Sequence, residues 1–255
     1  MLETMELKEL MPPLLEWFTA HARVLPWREL PTPYRVWVSE IMLQQTRVEA
    51  VKPYFERFTS ALPDVFALAA CPEDELLKLW EGLGYYNRVR NLQKAAVQVV
   101  EEYGGVIPAE YDELLKLKGI GHYTAGAVAS IAYGRYVPAV DGNVLRILTR
   151  VTADDTDIMK QSFRTAVERA LLAMMQELKI PDGLKHRLRD GNIPGALNQA
   201  LMELGATVCV PNGAPFCVEC PWENFCLAKK EGRIGELPVK SKAKARKIED
   251  RKSVV

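Results

Sequence analysis

Four of the five cysteines in this 255-residue chain lie within eighteen residues, and no other feature of the sequence limits the possible folds as strongly. The gaps between them are seven, two and five residues, and the four are Cys209, Cys217, Cys220 and Cys226. Four soft thiolate ligands suit zinc or an iron–sulfur cluster. A structural zinc site usually has two close cysteine pairs, whereas only Cys217 and Cys220 form one here. The uneven spacing favours a compact loop around an iron–sulfur cubane, with zinc and a metal-free loop as the alternatives.

Composition and charge place few limits on the partners of this chain. Hydrophobic residues make up 48% and charged residues 26%, which is typical of a globular protein of one large or two small domains. No apolar run reaches the ~18 residues of a membrane span. The N-terminus lacks the basic and apolar regions of a signal peptide, so we expect a cytoplasmic protein. The net charge is zero, so any binding to nucleic acid depends on a local positive face.

The C-terminal segment differs from the rest of the chain in charge. Residues 240–255 carry seven Lys or Arg against two acidic residues, a net charge of +5 that leaves −5 on the other 239 residues. After Cys226 the chain is poor in apolar residues, which is typical of a solvated linker. It ends in Ser253-Val254-Val255, which resembles the beginning of an apolar segment.

Hydrophobic spacing predicts an all-α fold. Apolar residues recur at helical intervals within residues 7–18, 76–80 and 92–100. Proline and glycine interrupt the pattern often, and no alternating run of strand length occurs. We predict about ten short helices joined by tight turns, with a loop or weak helix at about residues 181–191.

A glycine turn lies inside the sequence LLKLKGIGHYTAGA, residues 114–127. The pattern predicts an apolar helix ending at Lys118, a tight turn through Gly119 and Gly121, and a helix beginning at about Tyr123. Glycine lets the backbone approach a partner closely, and a helix N-terminus offers free N–H groups to a phosphate. The turn is therefore a candidate DNA-binding element, although a Gly-x-Gly turn alone is more often structural.

Three further blocks are long enough to be recognised. The first joins LPWR at residues 25–28 to PYRVWVSEIMLQQT at 33–46, the second is WEGLGYY at 80–86, and the third is VDGNVLR at 140–146. With the glycine turn and the cysteine loop, all in this order, they resemble the helix-hairpin-helix DNA glycosylase superfamily, which includes endonuclease III. Within it the chain looks like the MutY-type adenine glycosylases over about residues 14–240.

The resemblance implies a two-domain, all-α helix-hairpin-helix glycosylase fold. Residues 26–136 would form a six-helix barrel, and residues 1–25 and 137–230 an iron–sulfur cluster domain. Residues 231–255 would be a basic linker or tail. The active site would lie in the cleft between the domains of a monomer.

The resemblance also bears on the metal and on the end of the chain. The family holds a [4Fe–4S] cluster with four cysteines, and its first cysteine gap has six residues where this chain has seven. A turn containing Pro211, Asn212, Gly213 and Pro215 can absorb the extra residue, so [4Fe–4S] is favoured over zinc. The family's C-terminal domain, which recognises 8-oxoguanine, is expected to be absent, because the chain is either truncated, which its ending favours, or naturally short. The preference for 8-oxoguanine over guanine should then be weaker.

Two carboxyl groups fit the chemistry of N-glycosidic hydrolysis. Adenine leaves poorly as an anion, so a carboxylic acid kept neutral by apolar surroundings has to protonate it. Glu40 lies in the apolar stretch VWVSEIML and, by resemblance, protonates N7 of adenine. Asp141 would stabilise an oxocarbenium-like sugar or attack it covalently, and the sequence leaves both routes open. Taken alone, an Asp-Gly pair is also an ordinary turn.

The resemblance assigns the other site residues. Tyr123 stands where strand-cleaving relatives carry a Schiff-base lysine, which implies a monofunctional enzyme. Asn143 would hold Asp141 or cap a helix. Gln45 and Tyr85 would fill the gap left by the extruded base. The adenine pocket would be lined by Trp27, Arg28, Leu43 and Gln199, and further DNA contacts would come from Thr46, Arg88, Arg90, Gly119 and Gly121.

The sequence thus predicts a base-excision enzyme that removes adenine opposite 8-oxoguanine or guanine in double-stranded DNA. The nearest alternative is a thymine or uracil mismatch glycosylase of the same superfamily, since such relatives can also carry a tyrosine in the hairpin. Another is a non-catalytic protein that binds damaged DNA or senses redox state. The presence of both Glu40 and Asp141 argues against the latter.

Overall fold

The computed structural model describes residues 4–241, and all regular secondary structure in this range is helical, as predicted. There are fourteen α-helices, a π-helix and two 3₁₀ turns, against about ten helices predicted. Several of the additional helices have only four residues, too few to show a periodic pattern. The α-helices are α1 Thr4–His21, α2 Pro26–Glu29, α3 Pro33–Leu43, α4 Val48–Ala61, α5 Val65–Ala70, α6 Glu73–Trp80, α7 Asn87–Tyr103, α8 Tyr111–Leu114, α9 His122–Ala127, α10 Gly142–Val151, α11 Gln161–Glu177, α12 Asp182–Lys185, α13 Ile193–Thr207 and α14 Leu227–Lys230.

The helices enclose two hydrophobic cores. The first is built from residues 25–129, and helix α3 packs there on α4, α7 and α9. The second combines residues 7–18 of α1 with residues 140–222, and α1 packs there on α11 and α13. The two cores occupy the two predicted domains, except that Leu25 joins the first. A cleft between two such cores is where a ligand site is expected.

A hydrogen bond between residues that are far apart in the sequence attaches the cysteine loop to the second core. The indole Nε1 of Trp222, between Cys220 and Cys226, donates to the carbonyl oxygen of Leu10 at 2.7 Å. Trp222 is fully enclosed, so this bond is shielded from water. The loop is therefore anchored on α1.

The glycine turn differs in detail from the prediction. The apolar helix α8 ends at Leu114 and not at Lys118, because the next residues turn more tightly: the N–H of Leu117 donates to the carbonyl of Leu114, three residues back. Gly119 follows with a φ of +80°, which favours glycine. Helix α9 begins within one residue of the predicted position and runs directly into the π-helix Val128–Ala132.

Residues 181–191 contain α12 and a 3₁₀ turn, in agreement with the predicted loop or weak helix. Among residues 4–241, no helix is both long enough and apolar enough to cross a membrane. Most of the predicted basic tail, residues 242–255 with Val254 and Val255, lies outside the described residues.

Candidate active site

A cleft of about 520 Å³, called the base cleft below, lies between the two cores. It is bordered by α2, α3 and the loop after α3 on one side, and by the beginning of α10 and by α13 on the other. Ten of the predicted site residues line it: Glu40, Asp141, Tyr123, Asn143, Trp27, Arg28, Leu43, Gln45, Thr46 and Gln199. The predicted DNA contacts Tyr85, Arg88, Gly119 and Gly121 are not part of its lining.

Glu40 is a buried carboxyl group in the middle of α3, with 6% of its surface exposed. The apolar residues around it on this helix keep water away, and burial raises the pKa of Glu40 to about 7. The nearby hydroxyl of Tyr123 opposes this rise, whereas the charge of Asp141 adds to it. Oε2 of Glu40 has no hydrogen-bond partner within residues 4–241. A carboxyl group of this kind is protonated near neutral pH and can deliver its proton to a ligand in the base cleft.

Asp141 faces the same cleft from the beginning of α10. As the N-cap of that helix, it accepts the N–H of Val144 at Oδ1 (2.8 Å) and the Nδ2 of Asn143 at Oδ2 (2.7 Å). Burial raises the pKa of Asp141, but these hydrogen bonds favour its ionised form. The hydrogen bonds to Asp141 therefore oppose the effect of its burial. The helix cap is Asp141, so Asn143 orients Asp141 and is not itself the cap.

Further hydrogen bonds connect Asp141 to the cysteine loop. Oδ1 of Asn143 accepts from Arg146 (2.7 Å), and Nε of Arg146 donates to the carbonyl oxygen of Cys209 (2.9 Å). One turn later, Arg150 donates to Sγ of Cys209 at 3.3 Å. The position of Asp141 thus depends on how the cysteine loop is folded.

Tyr123 lies in the first turn of α9, beside both carboxyl groups. Burial raises the pKa of Tyr123 well above its usual range, and the charges of Glu40 and Asp141 raise it further. Its hydroxyl is directed at Sδ of Met202 (2.9 Å) and lies near Glu40. The neutral phenol can orient a carboxylate or a water molecule. It cannot form an imine, because it carries no amine.

Sequence reasoning missed an ion cluster in the wall of the base cleft. Glu203 is 1% exposed, and Arg23 binds both of its oxygens, from Nε at 2.7 Å and from a terminal nitrogen at 2.9 Å. Arg28 donates to the same carboxylate at 2.9 Å. Burial alone would raise the pKa of Glu203, but the two guanidinium groups lower it to about 2. Arg28, predicted to contact adenine, is therefore held in a fixed position.

We expect Glu203→Gln to lower the free energy of unfolding by about 3 kcal/mol, because two arginines lose their buried counter-charge. Equilibrium unfolding in urea at neutral pH measures this. Since folding lowers the pKa of Glu203 from its ordinary 4.5, its stabilising effect is present above that value and is lost as pH falls toward 2. The variant and the wild type should therefore converge in stability in acid.

The matched control is Glu113→Gln, which removes an exposed ion pair with Lys116 and should change the free energy of unfolding little. Equal losses from both variants would contradict the importance of the buried cluster.

The two residues predicted to replace the extruded base share an unusual backbone conformation. Gln45 has a φ of +58° and Tyr85 a φ of +48°, and both side chains are exposed. This left-handed region is costly for residues other than glycine, and such strain is concentrated at functional sites. Each therefore lies in a loop whose shape is imposed by its surroundings.

Arg88 imposes that shape, which corrects its predicted role as a phosphate contact. Its guanidinium donates to the carbonyl oxygens of Ile41 (3.0 Å) and Gln44 on one side and of Leu83 (3.1 Å) and Gly84 (3.3 Å) on the other. Both terminal nitrogens are thus used inside the protein and are not free for DNA. Arg88 joins the loop that carries Gln45 to the loop that carries Tyr85. Arg90 forms an exposed ion pair with Glu73, and its predicted phosphate contact stays a prediction.

The glycine turn leaves its outer face open. A Cβ at Gly119 would lie 2.8 Å from Cβ of Asn91, so the turn needs glycine to pack on α7. Gly121, the N-cap of α9, is exposed with open space around it. This face is free to approach a partner closely.

The four cysteines of the loop converge on one cavity of about 30 Å³, and Arg150 and Lys229 also border it. Within residues 4–241, no three residues of ligand type are arranged to hold one metal ion. A single zinc ion would need all four sulfurs ~2.3 Å from one point. Cys71 is buried in the other core and takes no part.

The fold and this site define a class of protein. The sequence profile of the HhH-GPD superfamily of base excision DNA repair proteins matches residues 38–171, and the chain belongs to this superfamily. The match includes Glu40, Tyr123 and Asp141.

More particularly, the chain is similar to curated adenine DNA glycosylases. It is 43% identical over 233 residues to that of Mus musculus and 43% over 226 residues to that of Homo sapiens. It is 37% identical over 232 residues to that of Buchnera aphidicola subsp. Schizaphis graminum. The matches cover 88%, 85% and 91% of this chain but only 42%, 39% and 62% of the relatives. The chain thus spans about two fifths of its mammalian relatives.

Solved structures share the fold. A thermostable thymine-DNA glycosylase superimposes with a TM-score of 0.72 at 24% identity, over 89% of this chain and 98% of that chain. Endonuclease III in a trapped covalent intermediate with DNA gives 0.70 at 24% identity, over 91% and 99%. At this identity the likeness shows the fold alone, and the predicted endonuclease III-like fold is confirmed.

Proposed function

We propose that this chain is a DNA glycosylase that hydrolyses the N-glycosidic bond of adenine mispaired with 8-oxoguanine or guanine. The observation that carries the proposal is a pair of carboxyl groups in one cleft. Glu40 is buried with a pKa of about 7, and Asp141 is held by two hydrogen bonds. The adenine DNA glycosylases to which the chain is similar support the choice of base.

Each carboxyl group has a separate task. Protonated Glu40 donates its proton to N7 of adenine as the bond between N9 and C1′ breaks, so the base leaves as neutral adenine. The sugar becomes an oxocarbenium-like cation opposite the Asp141 carboxylate. Water adds to C1′, and the proton it releases returns Glu40 to its acid form. Asp141 stabilises the cation through its charge or attacks C1′ covalently before water does.

The substrate is double-stranded DNA, with adenine rotated out of the helix into the base cleft of a monomeric protein. Gln45 and Tyr85, on the two loops joined by Arg88, enter the gap and offset an unstacking cost of about a few kcal/mol. Trp27 and Leu43 provide apolar walls for the base, and Gln199 provides an amide.

Excision of adenine from a duplex in which it lies opposite 8-oxoguanine tests the proposal. A duplex with adenine opposite thymine is the control. The mismatched duplex should give free adenine, identified by chromatography, and a strand that breaks on heating with alkali. The control duplex should give neither. Tight binding of the mismatch with no adenine released would instead favour a non-catalytic DNA-binding protein.

The enzyme is expected to be monofunctional. Strand cleavage by β-elimination needs an amine that forms an imine with the opened sugar, and Tyr123 supplies none. The product should be an intact abasic strand, and borohydride should trap little covalent complex. Tyr123→Lys should add trapping and cleavage, because its amine would lie beside Asp141. Efficient nicking and trapping by the wild type would show that another lysine acts, and would remove Tyr123 from this role.

The cysteine loop fits a [4Fe–4S] cluster held by Cys209, Cys217, Cys220 and Cys226. Four thiols border one cavity, and four cysteine thiolates are the ligand set that such a cluster takes. Arg150 and Lys229 supply positive charge to offset four thiolates. When bound, such a cluster would hold the loop in shape.

Purified protein should be brown and absorb near ~400 nm, with about four irons per chain, the stoichiometry of one cubane held by four cysteines. Cys220→Ser should lose iron and stability, whereas Cys71→Ser should keep both, because Cys71 lies in the other core. Colourless protein that contains zinc and no iron would rule out the cluster.

A further inference from the structure

A second cavity, of about 670 Å³, adjoins the base cleft and has no part in the chemistry above. It is open to solvent and is bordered by the C-terminal end of α1, by the segment after the π-helix and by residues 187–192. None of Glu40, Tyr123 and Asp141 borders it, and neither do Gln45 and Thr46 at the other side of the base cleft. We call it the rear cavity.

The rear cavity and the base cleft share one wall. Five residues border both spaces: Arg23, Leu25, Arg28, Ile131 and Gln199. The two spaces therefore meet along these five residues. An object in the base cleft therefore lies beside residues that also border the rear cavity.

Only one member of this wall is loosely held. Arg23 and Arg28 are fixed by Glu203, and Leu25 is buried in the first core. The carbonyl of Ile131 is bound by Asn192 at 3.0 Å. Gln199 makes one bond, from Nε2 to the carbonyl of Gly195 in the preceding turn of its own helix, at 3.2 Å. A rotation of the Gln199 side chain would exchange this bond for one to water and open the wall.

Aromatic rings and guanidinium groups in the lining suit a flat ring system, and the acidic residues Glu29 and Asp190 also border the cavity. Phe18 presents its ring under the guanidinium of Arg28, 5.4 Å from the ring centroid. Tyr133 and Tyr136 add aromatic surface, and the side chain of Asn192 is already occupied by backbone groups. Planar aromatic surfaces and guanidinium groups are the stacking partners that nucleobases find in proteins.

From these observations, and on the basis of the function proposed above, we infer that the rear cavity receives the excised base and is its route of release. In a bound complex, the abasic DNA covers the mouth of the base cleft near Gln45. A neutral purine freed by cleavage then has no exit on that side. Displacement of Gln199 lets it pass between Arg28 and Ile131 into the rear cavity, and from there to solvent, while the protein still holds the DNA.

The experiment separates bond cleavage from base release. Enzyme in excess is mixed with a duplex that carries radiolabelled adenine opposite guanine. Cleaved bonds are counted after an alkaline quench, and adenine free in solution is counted after rapid ultrafiltration. Two exposed residues that border the rear cavity alone are enlarged, separately and together, as Val24→Trp and Arg189→Trp. Val106→Trp, at an exposed valine outside both spaces, is the control.

In the wild type and in Val106→Trp, free adenine should appear as fast as bonds are cleaved. In the double variant, cleavage should be unchanged, whereas free adenine should appear about tenfold later, since product release now limits it. Equal time courses for cleavage and release in all variants would overturn the inference, as would a loss of cleavage equal to the loss of release. If the wild type cleaves no adenine at all, the proposed function itself fails.

Discussion

Glu40→Gln is expected to lower the rate of adenine excision about 10²- to 10⁴-fold, the usual range for loss of a general acid. Glutamine keeps the shape of the side chain and fits the same buried site on α3, but it has no proton to give to N7. Binding of mismatched DNA should be retained, because Oε2 of Glu40 has no hydrogen-bond partner in the described residues and the substitution breaks no bond there. Single-turnover excision and a parallel binding titration measure the two effects.

The pH dependence of excision tests the same residue in the wild type. Burial raises the pKa of Glu40 to about 7, and its acid form is the active one. The excision rate should therefore be high below pH 7 and fall as pH rises through about 7. Glu56→Gln, an exposed glutamate on α4, is the control and should leave rate and profile unchanged. A Glu40→Gln enzyme with wild-type turnover would remove Glu40 from the mechanism.

Asp141→Asn should reduce excision by at least about 10²-fold, the usual cost of removing one electrostatic contribution to a transition state. The change removes the negative charge that faces the sugar cation. Asparagine is as good an N-cap as aspartate, so α10 should persist, but the amide that replaces Oδ2 can no longer accept from Asn143, so a modest loss of stability is expected. Single-turnover kinetics together with thermal unfolding separate the two effects.

Asp64→Asn provides the matched control, because Asp64 caps α5 in the same way, accepting the N–H of Ala67 at 2.8 Å, far from the base cleft. It should alter neither excision nor thermal unfolding. If Asp141→Asn unfolded at a much lower temperature than wild type, its loss of activity would reflect the helix and not the charge.

The sequence predicted the fold class and the composition of the cleft because both depend on long, ordered motifs. The block around Glu40 and the block that begins at Val140 lie 100 residues apart in the chain, and the fold brings them to one cleft. The helical pattern was readable because apolar spacing is a local property. The predicted roles of these residues, and the domain boundaries, stay predictions.

What the sequence could not predict depends on contacts between distant segments. Arg23 and Glu203 are separated by 180 residues and carry no local signal of pairing. Arg88 looks like an exposed phosphate contact in the sequence, yet the fold surrounds it with carbonyl groups. The end of α8 was misplaced for a related reason: Leu117 keeps the apolar spacing of a helix although the backbone has already turned.

Excision of adenine, thymine and uracil, each placed opposite guanine in otherwise identical duplexes, tests the central claim most directly. The wild-type chain should release adenine under single-turnover conditions and leave thymine and uracil in place. The abasic strand formed by adenine release should break only after treatment with alkali. Faster release of thymine or uracil than of adenine would contradict the account and assign the chain to a mismatch glycosylase of different specificity.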